Sequence, residues 1–458
     1  MKELIRKIVR KVVLFGVRDI LHEMDELSEN NYQKLEQVLT EQANRLSEQA
    51  NLISEHSNSI QYFAETLAEK SFLIGCNASE IKRQVVEIKK IQIQLKEATN
   101  KEEICESRIF QIVPVFKSGD AIGNYALFIK SVMDNYGLPS EIYCYENLSD
   151  LKEIKNIEEF PVTNSKDAIL LHMAAENEFA EIMEAYSAKK VLFYHNITPS
   201  HFFDGFDDFA EQSTKRGRIQ VDTLKQTVDA CITVSEYNKA ELQDMGYNVP
   251  IHVVPIPFKK EDYTGIESEQ VKAMLTDGKK NILFVGRIAP NKKMEDLIES
   301  YQTYYDGYDK NVRLILLGNY NTNDKYYNYL KEKIRPGDDI IFTGHIKNEE
   351  WITYYKYADL FLCLSEHEGF CVPLVEAMSY QIPIVAYDSS AVGETLGQAG
   401  ILLKGKNPNV VAKAIHQIFN DKEYVDEIRN KQQERMHTFD SKLVAENLKN
   451  IVKKIVED

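Results

Sequence analysis

Two carboxylates eight residues apart, Glu368 and Glu376, flank the run Gly369-Phe370-Cys371-Val372-Pro373. The run Leu360-Phe361-Leu362-Cys363-Leu364 lies just upstream and has the composition of a short buried strand. A strand, a tight Gly turn and a helix opening near Pro373 bring backbone N–H groups and the positive helix end to one point, which suits a phosphate. A Glu before the loop and another one turn into the helix can both accept from sugar hydroxyls. The spacing is met equally well by an ordinary strand–loop–helix with two solvated carboxylates.

Other groups of this kind follow other predicted strands. After 281–285 comes Gly286-Arg287-Ile288-Ala289-Pro290-Asn291-Lys292-Lys293, whose Arg287 and Lys292 could grip a diphosphate, the first as a planar fork and the second as a point charge. A surface loop with ordinary basic residues reads the same. In Lys117-Ser118-Gly119-Asp120-Ala121-Ile122-Gly123-Asn124 a Gly-containing loop before a helix again offers backbone amides, or merely turns the chain. Single histidines, His195 and His172, end two more strands, where a structural or solvent-facing role is the usual one. Ser235 precedes a helical stretch and suits a helix cap.

The run from Glu368 to Met378 resembles the Glu-x7-Glu signature (E-G-F-G-x-P-x-x-E-A-M) of family 4 glycosyltransferases, departing from it where Cys371 stands for the second Gly. The resemblance covers roughly residues 107–440. It implies the two-domain GT-B fold, a nucleotide-sugar donor and transfer with retention of anomeric configuration. On that resemblance Arg287 and Lys292 hold the diphosphate, Glu368 and the amides of Gly369, Phe370, Cys371 and Val372 meet the sugar and the phosphate, and Glu376 binds the ribose. The 119–124 loop, with Gly119, Asp120, Ala121, Gly123 and Asn124, lies near the donor phosphates and the acceptor. His195 approaches the reacting sugar, Ser235 matches the family's strand-end Ser, and the base falls near His345 and Ile346. The catalytic set implied is therefore His195, Arg287, Lys292 and Glu368. No Asp-x-Asp sequence occurs, the pattern with which the other main glycosyltransferase fold binds a divalent metal, so metal-independent transfer without a cofactor is expected. At Cys371 a side chain is expected to be tolerated only with φ negative.

The elements that must position these residues fall into regions. Within 1–25, Leu4, Ile5, Ile8, Val9, Val12, Val13, Val17 and Ile20 share one helical face opposite basic residues, as in a helix lying on an anionic membrane or packed on a partner. In 26–105, Leu39, Leu46, Ile53, Ile60, Leu67, Ile74, Ile81, Ile88 and Leu95 keep a strict seven-residue register and predict a coiled coil, hence a homo-oligomer; the alternative is a single helix folded back on the globular part. From 106 to 258, short apolar strands separated by helical stretches predict an α/β, Rossmann-like, doubly wound domain on the acceptor side. The polar stretch 259–278 reads as a linker, 279–435 as a second such domain on the donor side, and 436–458 as a C-terminal helix that by resemblance crosses back to the first domain. Two doubly wound domains face each other across a cleft, with ligand at the carboxyl ends of strands.

Composition removes other classes. The 458 residues carry a net charge of −16, against a nucleic-acid partner, and the six cysteines show no Cys-x-x-Cys pair, which fits a reducing cytosol. No apolar run is long enough to span a membrane and the N-terminus does not read as a signal peptide, so the expected place is the cytoplasm, with peripheral contact at the inner membrane. The expected activity is transfer of a hexose, from GDP-mannose or a UDP-hexose, to a glycan or lipid-linked glycan in bacterial surface polysaccharide synthesis. The competing readings are a coiled-coil scaffold with a silent transferase domain and a GT-B phosphorylase or epimerase.

Overall fold

The computed structural model describes residues 78–99, 107–117, 119–259, 261 and 264–457. The predicted basic helix (1–25) and most of the predicted coiled coil (26–105) lie outside these residues. The described part of the 26–105 stretch is one helix, α1 (Ala78–Thr99), in which Ile88 and Leu95 are partly buried. It forms a compact unit with the short segments 161–164 and 181–187. Within that unit the Glu97 carboxylate accepts from the amides of Thr163 at 3.1 Å and Ser187 at 2.7 Å, and Lys90 pairs with Glu184 at 2.7 Å.

The remaining chain contains two parallel sheets. The first has seven strands in the order β3-β2-β1-β4-β5-β6-β7: β1 (Ile109–Phe116), β2 (Ser140–Asn147), β3 (Ile154–Asn156), β4 (Ala168–Met173), β5 (Lys189–Tyr194), β6 (Ala230–Thr233) and β7 (Ile251–Val253). The second has six in the order β10-β9-β8-β11-β12-β13: β8 (Lys280–Val285), β9 (Val312–Leu317), β10 (Ile340–Phe342), β11 (Leu360–Cys363), β12 (Ile384–Tyr387) and β13 (Ile401–Leu403). In each, the strand order reverses beside the first strand, between β1 and β4 and between β8 and β11. Such a reversal opens a crevice at the carboxyl ends of the strands. The central strands are covered on both faces: every residue of β4 and β9 is buried. Burial on both faces is why these strands are largely apolar rather than alternating, with His172 in β4 and Arg313 in β9 as buried polar exceptions.

The helices follow from spacing and caps. In α2 (Ala121–Asn135), Tyr125, Phe128, Ile129, Val132 and Met133 are buried on one face, and Asp120 caps the start. The last helix, α13 (Ser441–Glu457), buries Val444, Leu448, Val452 and Ile455 in the same core cluster as Ile129 and Met133 of α2. At roughly 1.5–3 kcal/mol per buried aliphatic side chain, that face suffices to hold the chain's end on the first sheet's layer. Within the stretch read as a linker, α5 (Glu269–Leu275) is a helix: Ser268 caps it and Val271 and Leu275 are buried.

Candidate active site

The loop after β8 is built to present its cations. Gly286 has φ 154°, and a Cβ on Gly318, which follows β9, would lie 1.9 Å from the Gly286 carbonyl oxygen. Only glycine at 318 lets the two loops meet backbone to backbone. A short turn over Pro290–Lys292 and a left-handed Lys293 (φ 54°) then lead into α6 (Met294–Gly307). Asn291 ties this loop to the Glu368 loop: its carbonyl accepts from the Glu366 amide at 2.9 Å and its side chain donates to the His367 carbonyl at 3.1 Å. Lys292 Nζ thereby meets Glu368 Oε2 at 2.6 Å, both side chains largely buried. Burial works against the Lys292 charge, but the Glu368 carboxylate outweighs it and holds the ammonium above the usual lysine range. Arg287 differs. It is exposed, has no hydrogen bond or ion pair among the described residues, and lines a cavity of about 510 Å³ with Phe206, Asp207, Asn319 and Tyr320.

The loop after β11 is fixed from several sides. The Glu368 amide donates to Ser390 Oγ at 2.8 Å, and the Phe370 carbonyl accepts from Thr395 Oγ1 at 2.5 Å. The backbone N–H groups of Gly369, Phe370 and Cys371 donate to nothing among the described residues, and α9 (Val372–Ser379) starts directly after them. Three unpaired amides at a helix start make an anion site. Cys371 corrects an expectation: its φ is +72° and ψ 65°, the left-handed region, rather than a negative φ. It takes the conformation a Gly would adopt there, and its side chain is accommodated in the core, 6% exposed, with Sγ 4.0 Å from Cys363 Sγ. Hydrogen bonding to Cys363 and burial push the Cys371 thiol up.

Cys363, Cys371 and Glu368 are the one group among the described residues whose ligand atoms, all within 4.8 Å, could together hold a metal ion. The Lys292 ammonium already sits on that carboxylate, and its charge opposes a dication.

Glu376 lies one turn into α9, where its Oε2 accepts from Tyr355 OH at 2.5 Å. Tyr355 is itself fully buried, against Trp351, Phe361 and Tyr380.

The first sheet brings its own residues to this loop. His195 follows β5, and a Cβ on Gly369 would lie 2.3 Å from the His195 carbonyl oxygen, so only a glycine permits that approach. Ser235 Oγ donates to the Gly369 carbonyl at 2.8 Å and also accepts from the Asn238 amide at 3.2 Å, so the cap and the site contact coexist in one hydroxyl. His195 Nε2 lies 2.8 Å from His172 Nδ1, and His172 Nε2 lies 3.2 Å from Gln111 Oε1. Burial lowers the His195 pKa to about 3 and takes His172 well below its ordinary value. In the 119–124 loop, Gly119 has φ 80° and the Asp120 side chain accepts from the amides of Ile122 at 3.2 Å and Gly123 at 3.5 Å. Two of the amides the loop was expected to offer are therefore held by Asp120. Ala121 and Asn124 are exposed at the start of the same helix. Ile346 is partly buried on the core cluster that contains Phe370 and Val375.

The structure thus gathers Lys292, Glu368, Gly369, Cys371, Ser235 and His195 into one connected set of contacts. Sequence reasoning passed over Asn291, Ser390, Tyr355, Gln111 and Gly318. A glycine directly after a strand was a usable signal for Gly318. The others reach the site through partners 21 to 76 positions away and carry no local mark.

Residues 266–435 match the model of the family described as glycosyl transferases group 1. Over 213 residues the chain is 30% identical to the alpha-monoglucosyldiacylglycerol synthase of Acholeplasma laidlawii, covering 45% of this chain and 50% of that one. Over 139 residues it is 27% identical to the O-antigen chain mannosyltransferase B of Escherichia coli, covering 30% and 36%. The chain thus spans half or less of the length of these curated relatives. Among solved structures, HepE of Anabaena in complex with UDP-glucose superposes with a TM-score of 0.60 at 18% identity, over 76% of this chain and 99% of that one. A glycosyltransferase from Rickettsia africae gives 0.60 at 15%, over 77% and 100%. At such identities the likeness is one of fold: two parallel-sheet α/β domains of the GT-B kind.

Proposed function

We propose that this chain is a retaining glycosyltransferase that moves a hexose from a nucleotide-sugar donor to a glycan or lipid-linked acceptor. The observation that carries this reading is the unpaired amide run of Gly369, Phe370 and Cys371 at the start of α9, with the Lys292–Glu368 pair beside it. An anion seated there meets N–H donors, a helix start and an ammonium, and Arg287 supplies a free guanidinium on the adjoining loop. As the bond from the anomeric carbon to the leaving phosphate oxygen breaks, charge accumulates on the diphosphate, and fixed cations and amides stabilise it. The acceptor hydroxyl then bonds to the same face of the sugar and gives its proton to the departing phosphate. Glu368, engaged by Lys292, orients the sugar and forms no covalent bond to it. Glu376, steadied by Tyr355, holds the ribose hydroxyls.

The relatives named for glucosyldiacylglycerol and O-antigen synthesis support an acceptor anchored in or destined for a membrane. Mannose is the first sugar to try and glucose the next, the latter favoured by the glucolipid relative. No helix among the described residues is long and apolar enough to cross a membrane. On this reading, contact with a lipid acceptor would involve the basic amphipathic stretch 1–25.

The test is a thermal-shift screen of nucleotide sugars followed by a transfer assay on the full chain. Arg287→Ala should lower transfer roughly 100-fold, the scale for one group acting on developing charge, with the melting temperature unchanged because its side chain is exposed and unpaired. EDTA should leave the rate unaltered. A scaffold would show no activity with any donor, and a rate abolished by EDTA and restored by manganese would overturn the metal-free mechanism.

A further inference from the structure

Gln111, in the middle of β1, is a fully buried polar side chain. Its amide nitrogen donates to the Ala126 carbonyl at 3.0 Å and to Ser140 Oγ at 3.1 Å. A carbonyl oxygen only accepts, so the amide has one allowed orientation, with Oε1 facing His172 Nε2 at 3.2 Å. Oε1 also only accepts, so His172 carries its proton on Nε2. A neutral imidazole has one N–H, which leaves a lone pair on His172 Nδ1, 2.8 Å from His195 Nε2. His195 must then carry its proton on Nε2. Its Nδ1 is bare and has no partner among the described residues. The imidazole rings are also held in place: Phe193 stacks on His172 at 4.9 Å and on His195 at 4.8 Å.

We propose that Gln111 and His172 are positioning residues that lock His195 in the Nε2–H tautomer, so that its Nδ1 is a standing hydrogen-bond acceptor for a hydroxyl of the transferred sugar. The inference rests on the reading of His195 as a donor-site residue. Protonating His172 would turn its Nδ1 into a donor and push the His195 proton from Nε2 to Nδ1, undoing the lock, and burial keeps both rings neutral. With its pKa at about 3, His195 is too weak a base to take a proton near neutrality, so it orients a hydroxyl and does not deprotonate it.

Nitrogen-15 NMR of the histidine side chains in the full chain tests this. In the wild type the His195 Nδ1 should resonate as a bare ring nitrogen and Nε2 as an N–H; the reverse assignment overturns the proposal without any variant. In His172→Leu the lock is gone and both tautomers should appear. In His172→Asn the amide oxygen replaces Nδ1 as acceptor and the single tautomer should return. Transfer should fall about tenfold in His172→Leu, the worth of one neutral hydrogen bond, and recover in His172→Asn. Equal impairment in both variants, with one tautomer throughout, would mean a packing role only. A nucleotide sugar should shift the Nδ1 resonance more than the nucleoside diphosphate alone; equal shifts would remove the hydroxyl contact. Absence of transfer in the wild type would refute the enzyme reading and leave the tautomer result standing by itself.

Discussion

Replacing Cys371 separates two effects that oppose each other in the native loop. The residue sits at φ +72°, where any side chain with a Cβ costs about 1–2 kcal/mol relative to glycine. Its thiol is nevertheless enclosed, 6% exposed and in contact with Cys363, and returning that small apolar group to water costs about 1 kcal/mol. Cys371→Ala keeps the backbone strain and loses the sulfur, so it should be destabilised by about 1 kcal/mol. Cys371→Gly loses the sulfur but relieves the strain, and should lie close to the wild type. The Gly variant should therefore be more stable than the Ala variant by about 1 kcal/mol, the reverse of their order at an ordinary helical position. Urea denaturation with an unchanged m-value reads the difference as a shift in midpoint. An Ala variant as stable as, or more stable than, the Gly variant would refute the assignment of left-handed strain at this position.

Lys292→Ala should destabilise the protein by about 3 kcal/mol, because it leaves the Glu368 carboxylate buried and unpaired, and adding Glu368→Ala should restore most of the stability but no activity. Chemical denaturation of the two singles and the double decides; additive losses would show that the pair is not coupled. Since Lys292 is held above its ordinary value, its contribution is fully present below pH 10.5 and disappears as pH rises through the elevated value, which an alkaline denaturation series would detect. Acid acts through the histidines. His195 is lowered to about 3 by burial, and His367 to about 4 by burial and then by the charges of Arg218, Lys292 and His201. The unfolded chain takes up these protons first, below pH 6.5, so stability should fall from pH 6.5 toward 4 by up to ~1.4 kcal/mol per pH unit for each histidine. His367→Asn should flatten that slope by one proton, and an unchanged slope would contradict the neutral state of His367.

Much of the fold was legible because it depends on local order. Short, wholly apolar runs such as Leu360-Phe361-Leu362-Cys363 suit strands buried on both faces, and strands alternating with amphipathic helices suit parallel sheets. The motif residues were legible for the same reason: Gly286-Arg287 and Glu368-Gly369 sit directly after strands, where the chain must turn and where a doubly wound sheet opens its crevice. The helix over 269–275 was harder, because its polar flanks hide the two residues, Val271 and Leu275, that pack inward.

What the sequence determined by itself is which residue types stand at strand ends, since their chemistry and spacing are covalent facts. What tertiary structure alone decided is the state in which those residues are held. Arg287 and Lys292 belong to one loop, yet the first is free and the second is bound to Glu368, 76 positions away. Cys371 is left-handed because the surrounding core encloses its thiol while the backbone turns as a glycine would. The proton on His195 is fixed by a carbonyl on a helix, an amide on β1 and an imidazole on β4. Charge, handedness and tautomer are set by neighbours in space, and the order of residues along the chain does not contain them.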